Sequence, residues 1–479
     1  MTRMASGLPG VVAACLLLSA CQTIPGDTDD FETARMALDG HIRTLSDDSF
    51  AGREPGTPGG RKTQQYLIDT LQSFGYTPGA ADAGWRQPVS LVRYQPGSAD
   101  LDIVANGHVL TFRDGEAVVS GAPRALDTVA IIAIRAGEDI EEGSLSDKAA
   151  LVRAGEARAL FATLSASEAE AIILQAETDA QFSEFSGFLR NGRWQLKGAE
   201  DTRPPIVLLP PRSAERLLVR NASLAMTMTS RPASQSIESA NVIAKLPGRV
   251  EGSGAVLILA HWDHLGTCGS EGDTDRVCNG AIDNASGLGV MLETARRISV
   301  SGGLDRDLYV IGTTGEELGL LGAEAFVSDP PVPLPTIVAA FNIDSVAIAP
   351  RGAPTTMVGW GRTPLDEDIE FVVKSIGGTF KDEPYTEQFV RRQDGWALLS
   401  RDVPAVLVST SFADIDAFTA FLQGPYHGAA DEWRPDMELG GATDDIFTHV
   451  ALLRHFGNVA SYQPGARDKP AAQSGAGEQ

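Results

Sequence analysis

Four apolar runs in the second half of the chain constrain the fold most strongly. Each is as long as a strand and lacks the alternation of a half-exposed strand, so both faces of the predicted sheet are covered. The runs are residues 254–261, 308–314, 337–343 and 405–409. A helical stretch with an apolar stripe, residues 286–299, follows the first run. This order predicts an α/β fold with a mixed, mostly parallel sheet flanked by helices.

A segment of about one domain's length, residues 88–235, interrupts this pattern. It contains short apolar runs of strand length, including TVAIIAI, AALVRA, AEAIIL and PPIVLL. We therefore predict an inserted, β-rich domain. The other predicted units are a catalytic domain in two pieces (31–87 and 236–461), a tether (21–30) and a disordered tail (462–479). In the first catalytic piece, Thr57 and Pro58 are expected to begin a helix that ends at Gly75.

The N-terminus has the features of an export signal. Arg3 precedes a short apolar stretch, residues 11–18, which is shorter than a membrane span. The sequence LSAC, which ends at Cys21, resembles the lipobox of bacterial lipoproteins. We therefore expect residues 1–20 to be a signal peptide and Cys21 to be lipidated. Gln22, by the same resemblance, favours anchoring in the outer membrane; a plain signal peptide is the alternative.

Two cysteines remain for the folded part of the chain. Cys268 and Cys278 lie ten residues apart in a polar, Gly-rich stretch. An exported protein meets an oxidising compartment, which favours a disulfide between them over two free thiols. Zinc binding by this pair is disfavoured, because no third cysteine or suitable spacing supports it.

The charge balance limits the classes of partner. The chain contains 39 basic and 63 acidic residues, a net charge of −24. Such a charge repels phosphate backbones, so we expect no nucleic-acid partner.

Polar side chains follow the predicted strands at their carboxyl ends, the edge at which open α/β sheets bind ligands. Taken singly, each has an ordinary explanation, such as a helix cap or a solvated helix start. Together these side chains include histidines and carboxylates, the groups that bind divalent metal ions, in a chain with only seven histidines. They are His261, Asp263, Asp283, Glu316, Glu317, Asp344 and His427.

These positions lie in stretches that resemble the co-catalytic dizinc exopeptidases of the aminopeptidase Y and bacterial leucyl aminopeptidase type. The matching stretches are AHWDHLG, NGAIDNASG, TTGEELGLLGAEAF, FNIDSV and PYHGAADEW, and AGREPGTPGGRKTQQYL is similar to the family's opening segment. The resemblance covers residues 40–80 and 238–460. The insert resembles, more vaguely, a protease-associated domain.

The resemblance implies two Zn²⁺ ions. Asp283 would bridge them, His261 and Asp344 would complete one site, and Glu317 and His427 would complete the other. Three carboxylates and a bridging hydroxide would balance the four positive charges of two Zn²⁺, which permits a hydroxide at neutral pH.

Further roles also follow from the resemblance. Glu316 would be the general base, and the Asp263 carboxylate would orient His261. The peptide bond between Asp283 and Asn284 would be cis. The chain departs from the family at Gln393-Asp394-Gly395, where members often carry Ser-Asp-His. This departure concerns the specificity pocket more than the reaction.

The sequence therefore predicts an outer-membrane zinc aminopeptidase that acts on peptides. One alternative is a carboxypeptidase, for which Arg391 and Arg392 would be candidate partners of the substrate carboxylate. A second alternative is a glutaminyl-cyclase-like enzyme with a single zinc. The alternative of another class is a non-catalytic receptor or scaffold on the same fold.

Overall fold

The computed structural model describes residues 28–464, apart from the single positions 139, 142, 166, 200, 202, 221 and 270. The predicted signal peptide, Cys21 and most of the predicted tail lie outside the described residues. Within the described part, no helix combines the length and the apolar character needed to cross a membrane.

Helices and strands alternate along the described chain. The helices are α1 (Thr28–Leu45), α2 (Pro58–Ser73), α3 (Ala157–Ser165), α4 (Asp179–Arg190), α5 (Ala214–Leu217), α6 (Gly287–Val300), α7 (Leu321–Ser328), α8 (Asp366–Ser375), α9 (Gly395–Leu399), α10 (Ile415–Gln423) and α11 (Gly440–Gly457). The strands are β1 (Thr77–Pro78), β2 (Arg86–Ala105), β3 (His108–Phe112), β4 (Val118–Ser120), β5 (Ala125–Ala133), β6 (Lys148–Arg153), β7 (Ala171–Gln175), β8 (Arg193–Leu196), β9 (Ile206–Leu209), β10 (Leu224–Leu246), β11 (Ala255–His261), β12 (Gly266–Thr267), β13 (Val277–Cys278), β14 (Asp307–Thr313), β15 (Ile337–Asn342), β16 (Thr356–Val358) and β17 (Ala405–Ser409).

In the predicted catalytic domain, called the catalytic part below, the sheet has the strand order β16-β17-β15-β11-β14-β10. The four predicted apolar runs became β11, β14, β15 and β17, which pair in parallel with their neighbours among this set. The two outer strands, β10 and β16, run antiparallel. The predicted mixed, mostly parallel sheet is confirmed.

Helices cover both faces of this sheet, which explains the continuous apolar runs. In β11, Val256 and Ile258 point to the face packed by α1, α2, α6, α8 and α11. Leu257 and Leu259 point to the opposite face, packed by α7 and α9. Helix α2 begins at Pro58 as predicted, with the Thr57 hydroxyl accepting a hydrogen bond from the Gly60 N–H at 3.2 Å.

A long two-stranded ribbon joins the catalytic part to the insert. Strand β2 pairs with β10 from Arg86, opposite Val242, to Ala105, opposite Leu224. Strand β10 also pairs with β14 in the catalytic sheet and with β5 in the insert. The predicted boundaries, 88 and 235, therefore fall inside continuous strands instead of in linkers.

The insert has its own apolar cores and contains helices as well as strands. Its strands β5, β6, β7 and β9 are parallel neighbours. Parallel strands need crossover connections, and α3 and α4 lie in such connections. The insert is thus of mixed α/β character, where the sequence predicted a β-rich domain. Its Trp194 and Leu196 belong to the same small apolar cluster as Leu318, the residue after Glu317.

Both ends of the fold extend past their predicted boundaries. Helix α1 begins at Thr28, within the predicted tether, because its buried Phe31, Leu38 and Ile42 give it an apolar face to pack. Tyr462, assigned to the tail, packs against Phe456 with ring centroids 4.7 Å apart.

Candidate active site

The sheet brings the predicted polar residues to one edge. Strands β11, β14 and β15 are parallel, so their carboxyl ends meet on the same side. His261 ends β11, Glu316 and Glu317 follow β14, Asp344 follows β15, Asp283 lies in the turn before α6, and His427 lies between α10 and α11. The residues therefore converge although they are spread over more than 160 positions of the sequence.

One group of possible metal ligands consists of His261, Asp283 and Asp344. His261 Nε2 lies 3.2 Å from Asp283 Oδ1 and 3.5 Å from Asp344 Oδ1. Nδ1 of His261 lies 3.1 Å from the Asp263 backbone carbonyl, which can only accept, so Nδ1 carries the proton. The lone pair on Nε2 then faces the two carboxylates.

A second group of possible ligands consists of His264, Asp283 and Glu317, and His427 lies beside the same two carboxylates. His427 Nε2 lies 3.4 Å from Asp283 Oδ2 and 3.0 Å from Glu317 Oε2. The two oxygens of Asp283 thus face different histidines, which is the arrangement that a bridging carboxylate requires. The Tyr426 ring stacks on His427 with ring centroids 3.7 Å apart and limits its orientation.

The spacing of these atoms fits zinc. Zinc binds nitrogen and oxygen at about 2.0–2.1 Å in tetrahedral sites, which places neighbouring ligand atoms about 3.3 Å apart. The four separations above lie between 3.0 and 3.5 Å. Within the described residues, His261 Nε2 is buried without a hydrogen-bond partner, as expected of an atom that a metal would satisfy.

The Asp263 carboxylate, which was predicted to orient His261, does not make the closest contact with that ring. Its Oδ1 lies 4.0 Å from His261 Nδ1, and the backbone carbonyl of Asp263 makes the 3.1 Å contact instead. Oδ1 accepts a hydrogen bond from the Glu316 N–H at 3.2 Å. The orienting role therefore belongs to the carbonyl, because the carboxylate is turned toward the loop that carries Glu316.

Glu316 lies among carboxylates. Burial raises the pKa of its carboxyl group well above the ordinary value; His261 opposes this shift, and Asp344, Asp394 and Glu317 add to it. Burial likewise raises the pKa of Asp263 to about 7 and that of Asp394 to about 6. Glu316 directly precedes Glu317 and is buried close to His261 and Asp344, which is the position that a general base would need.

Sequence reasoning missed Arg53, which is fully buried beneath the site. Its guanidinium donates to the backbone carbonyls of Trp262 at 3.0 Å and Gly280 at 3.0 Å, and to those of Leu45, Asn279 and Asp283. It thereby ties the turn of Asp283 to the loop after β11. The motif AGRE contained it, but its burial could not be read from the motif.

Two further buried residues were not assigned a role. Asp431 accepts hydrogen bonds from the N–H groups of Ile282 at 2.9 Å and Asp283 at 3.0 Å, and so holds the backbone of the bridging residue. His264 Nδ1 lies 2.6 Å from Glu317 Oε1. Both lie in motifs noted above, and only the folded backbone brings them to these partners.

Two other expectations concern the loops around the site. The peptide bond between Asp283 and Asn284 is cis, as the family resemblance implied. Cys268 and Cys278 are joined in a disulfide, with Cα atoms 5.8 Å apart, at the hairpin of β12 and β13. This hairpin packs on the turn that carries Arg53.

A known protein family matches the part of the chain that contains this site. Residues 241–451 match the profile of Peptidase family M28, and the matched segment contains all the predicted metal ligands. The match supports a metallopeptidase, and hence a hydrolase. No curated protein sequence matches the chain significantly.

Solved structures show a similar fold. An aminopeptidase from Aneurinibacillus sp. strain AM-1 superposes with a TM-score of 0.50 at 18% identity, over 88% of this chain and 93% of that one. The zinc aminopeptidase BSAP of Bacillus subtilis gives a TM-score of 0.46 at 17% identity, over 88% and 94%. A peptidase M28 precursor from Shewanella amazonensis SB2B gives 0.44 at 17% identity, over 90% and 97%. At this identity, the first superposition shows a shared fold.

Proposed function

We propose that this chain is a zinc-dependent aminopeptidase of the M28 type that removes N-terminal residues from peptides and holds two Zn²⁺. The observation that carries the proposal is the division of Asp283 between two sets of donors, with Oδ1 facing His261 and Oδ2 facing His427. A single-metal site or a purely structural cluster would not require this division.

The chain's own residues have distinct roles in this proposal. His261 and Asp344 would hold one metal, Glu317 and His427 would hold the other, and Asp283 would serve both. When bound, the metals would polarise the scissile carbonyl and lower the pKa of the attacking water. Glu316 accepts the proton of that water and donates it to the leaving amine.

The preference for an N-terminal substrate rests on charge. The three ligand carboxylates would be balanced by the metals, but Glu316 is a further carboxylate beside them, and its charge attracts the free ammonium group of a peptide N-terminus. Arg391 and Arg392, the candidates for binding a substrate carboxylate, are exposed and lie over the rings of Trp396 and Phe389. Aromatic stacking accounts for their positions, which favours the aminopeptidase over the carboxypeptidase.

We extend the proposal to location and to the insert. A lipidated Cys21 would hold the enzyme at the outer membrane, and the insert would act as a protease-associated-like domain beside the active site. Support for the second point is that Trp194 from β8 packs on the same apolar cluster as Leu318, the residue that follows Glu317.

The test uses purified protein, a panel of aminoacyl anilides, and chelator treatment followed by zinc. We expect hydrolysis of anilides with a free amine, loss with the chelator, recovery with zinc, and two zinc ions per chain by metal analysis. Asp283→Ala should lose metal and activity together, because both sets of donors lose a ligand. Unchanged metal content in this variant would contradict the bridging role.

Two further substrate classes, N-blocked peptides with a free carboxylate and peptides with N-terminal glutamine, separate the alternatives. Cleavage confined to peptides with a blocked amine and a free carboxylate would indicate a carboxypeptidase. Cyclisation of N-terminal glutamine with one bound zinc would indicate a cyclase. Two bound zinc ions without turnover on any substrate would favour the non-catalytic alternative.

A further inference from the structure

The carboxylate of Glu317 is held through both of its oxygens. Oε2 lies 3.0 Å from His427 Nε2, on the side that also faces Asp283. Oε1 lies 2.6 Å from His264 Nδ1. The Glu317 side chain is 3% exposed and that of His264 is fully buried, so water does not compete for this contact.

The short distance distinguishes a hydrogen bond from shared metal coordination. Two ligands of one tetrahedral zinc are about 3.3 Å apart. His264 Nδ1 and Glu317 Oε1 are closer than this, at the separation of a charge-assisted hydrogen bond. Since an ionised carboxylate can only accept, Nδ1 of His264 is the donor.

The backbone confines His264 to this position. Its ring packs against Gly280, where an added Cβ would lie 2.7 Å from the ring carbon Cδ2 of His264. Gly280 adopts a left-handed φ of 56° and precedes the turn of Asp283. The imidazole is therefore packed between this turn and Glu317, and its donor is aimed at one oxygen.

We propose that His264 is a positioning residue for the second metal site: its Nδ1–H holds Oε1 of Glu317, so that Oε2 alone is presented beside Asp283 and His427. Holding the second oxygen of a ligating carboxylate fixes the orientation of the first. This inference rests on the proposed function, because it requires Glu317 to bind a metal.

The test is calorimetric titration of chelator-treated protein with Zn²⁺, which reads metal affinity without turnover. His264→Leu removes the donor, and His264→Gln places an amide nitrogen too far along the side chain to replace Nδ1. We expect either change to weaken one of the two zinc sites by about 10–100-fold and to leave the other unchanged. His264→Asn, whose amide nitrogen can occupy the place of Nδ1, should restore the affinity.

A matched control lies outside the site. His455 Nε2 contacts the Asp368 carboxylate at 2.9 Å, so His455→Leu removes a similar histidine–carboxylate contact and should leave both zinc affinities unchanged. Wild-type affinities in the Leu and Gln variants of His264, or no recovery in the Asn variant, would overturn the inference and leave the proposed function intact. If the wild-type protein bound fewer than two zinc ions, the proposed function would fail and the inference with it.

Discussion

The active-site edge of the sheet and the insert differ in the partners of their buried carboxylates. In the insert, the carboxylate of Asp201 has a side-chain exposure of 4%, but it lies 2.8 Å from Arg203 and 3.9 Å from Arg193. At the sheet edge of the catalytic part, Asp263 and Asp394 are buried within a group of carboxylates, and burial raises the pKa of both.

This contrast separates structural charge from functional charge. A buried carboxylate paired with arginine has an ordinary structural explanation, whereas crowded like charges raise the free energy of the fold unless a cation is supplied. Such crowding marks functional sites. Among the described residues, the crowded carboxylates therefore mark the catalytic edge as the candidate site for chemistry.

The largest expected effect is the loss of turnover when a glutamate of the active-site edge is replaced, compared with the same replacement in the insert. Glu316→Gln should lower turnover by about 10²–10⁴-fold, because the amide cannot accept the proton, while both metals stay bound. Glu170→Gln is the control: this insert glutamate pairs with Arg124 at 2.9 Å, and its loss should leave turnover unchanged. Steady-state kinetics with metal analysis measures both. Full turnover in Glu316→Gln would remove this residue as the base.

The next prediction concerns arginine. Arg53→Met leaves several backbone carbonyls unpaired beneath buried carboxylates, and we expect the free energy of unfolding to fall by roughly 3–5 kcal/mol. Arg124→Met breaks a partly exposed ion pair in the insert and should cost about 1 kcal/mol or less. Denaturant unfolding of the two variants gives the comparison. Equal losses would show that Arg53 contributes no more than a surface arginine.

The smallest effect depends on pH. Burial lowers the pKa of His449, on α11 of the catalytic part, to about 4, so the folded state stays neutral where the unfolded chain is protonated. Stability from this residue is therefore present above about pH 6.5 and is lost as the pH falls toward 4, by up to about 3 kcal/mol.

His449→Leu cannot gain this proton, so the stability difference between wild type and variant should shift against the wild type as the pH falls through this window. Unfolding curves at several pH values measure the difference. A difference that did not vary with pH would show that the imidazole does not titrate differently in the folded and unfolded states.

Periodicity and local chemistry were enough to predict much of the fold. The apolar run ending at His261 has the length and the continuous pattern of a strand covered on both faces. Thr57-Pro58 is a local signal for the beginning of a helix and does not depend on what the helix packs against. Most of the candidate ligands could also be predicted from the sequence. Parallel strands place their carboxyl ends together, so polar residues that follow different strands become neighbours.

Long-range placement decided the rest. Arg53 donates to backbone carbonyls more than 200 positions away, His264 reaches Glu317, and Asp431 holds the backbone of Asp283. None of these partners is set by local spacing. The turn of Asp263 toward Glu316, and the ribbon that runs through both predicted domain boundaries, likewise follow from backbone geometry. Local sequence specifies which residues follow the end of each strand. The packing of distant segments specifies which of their atoms come into contact.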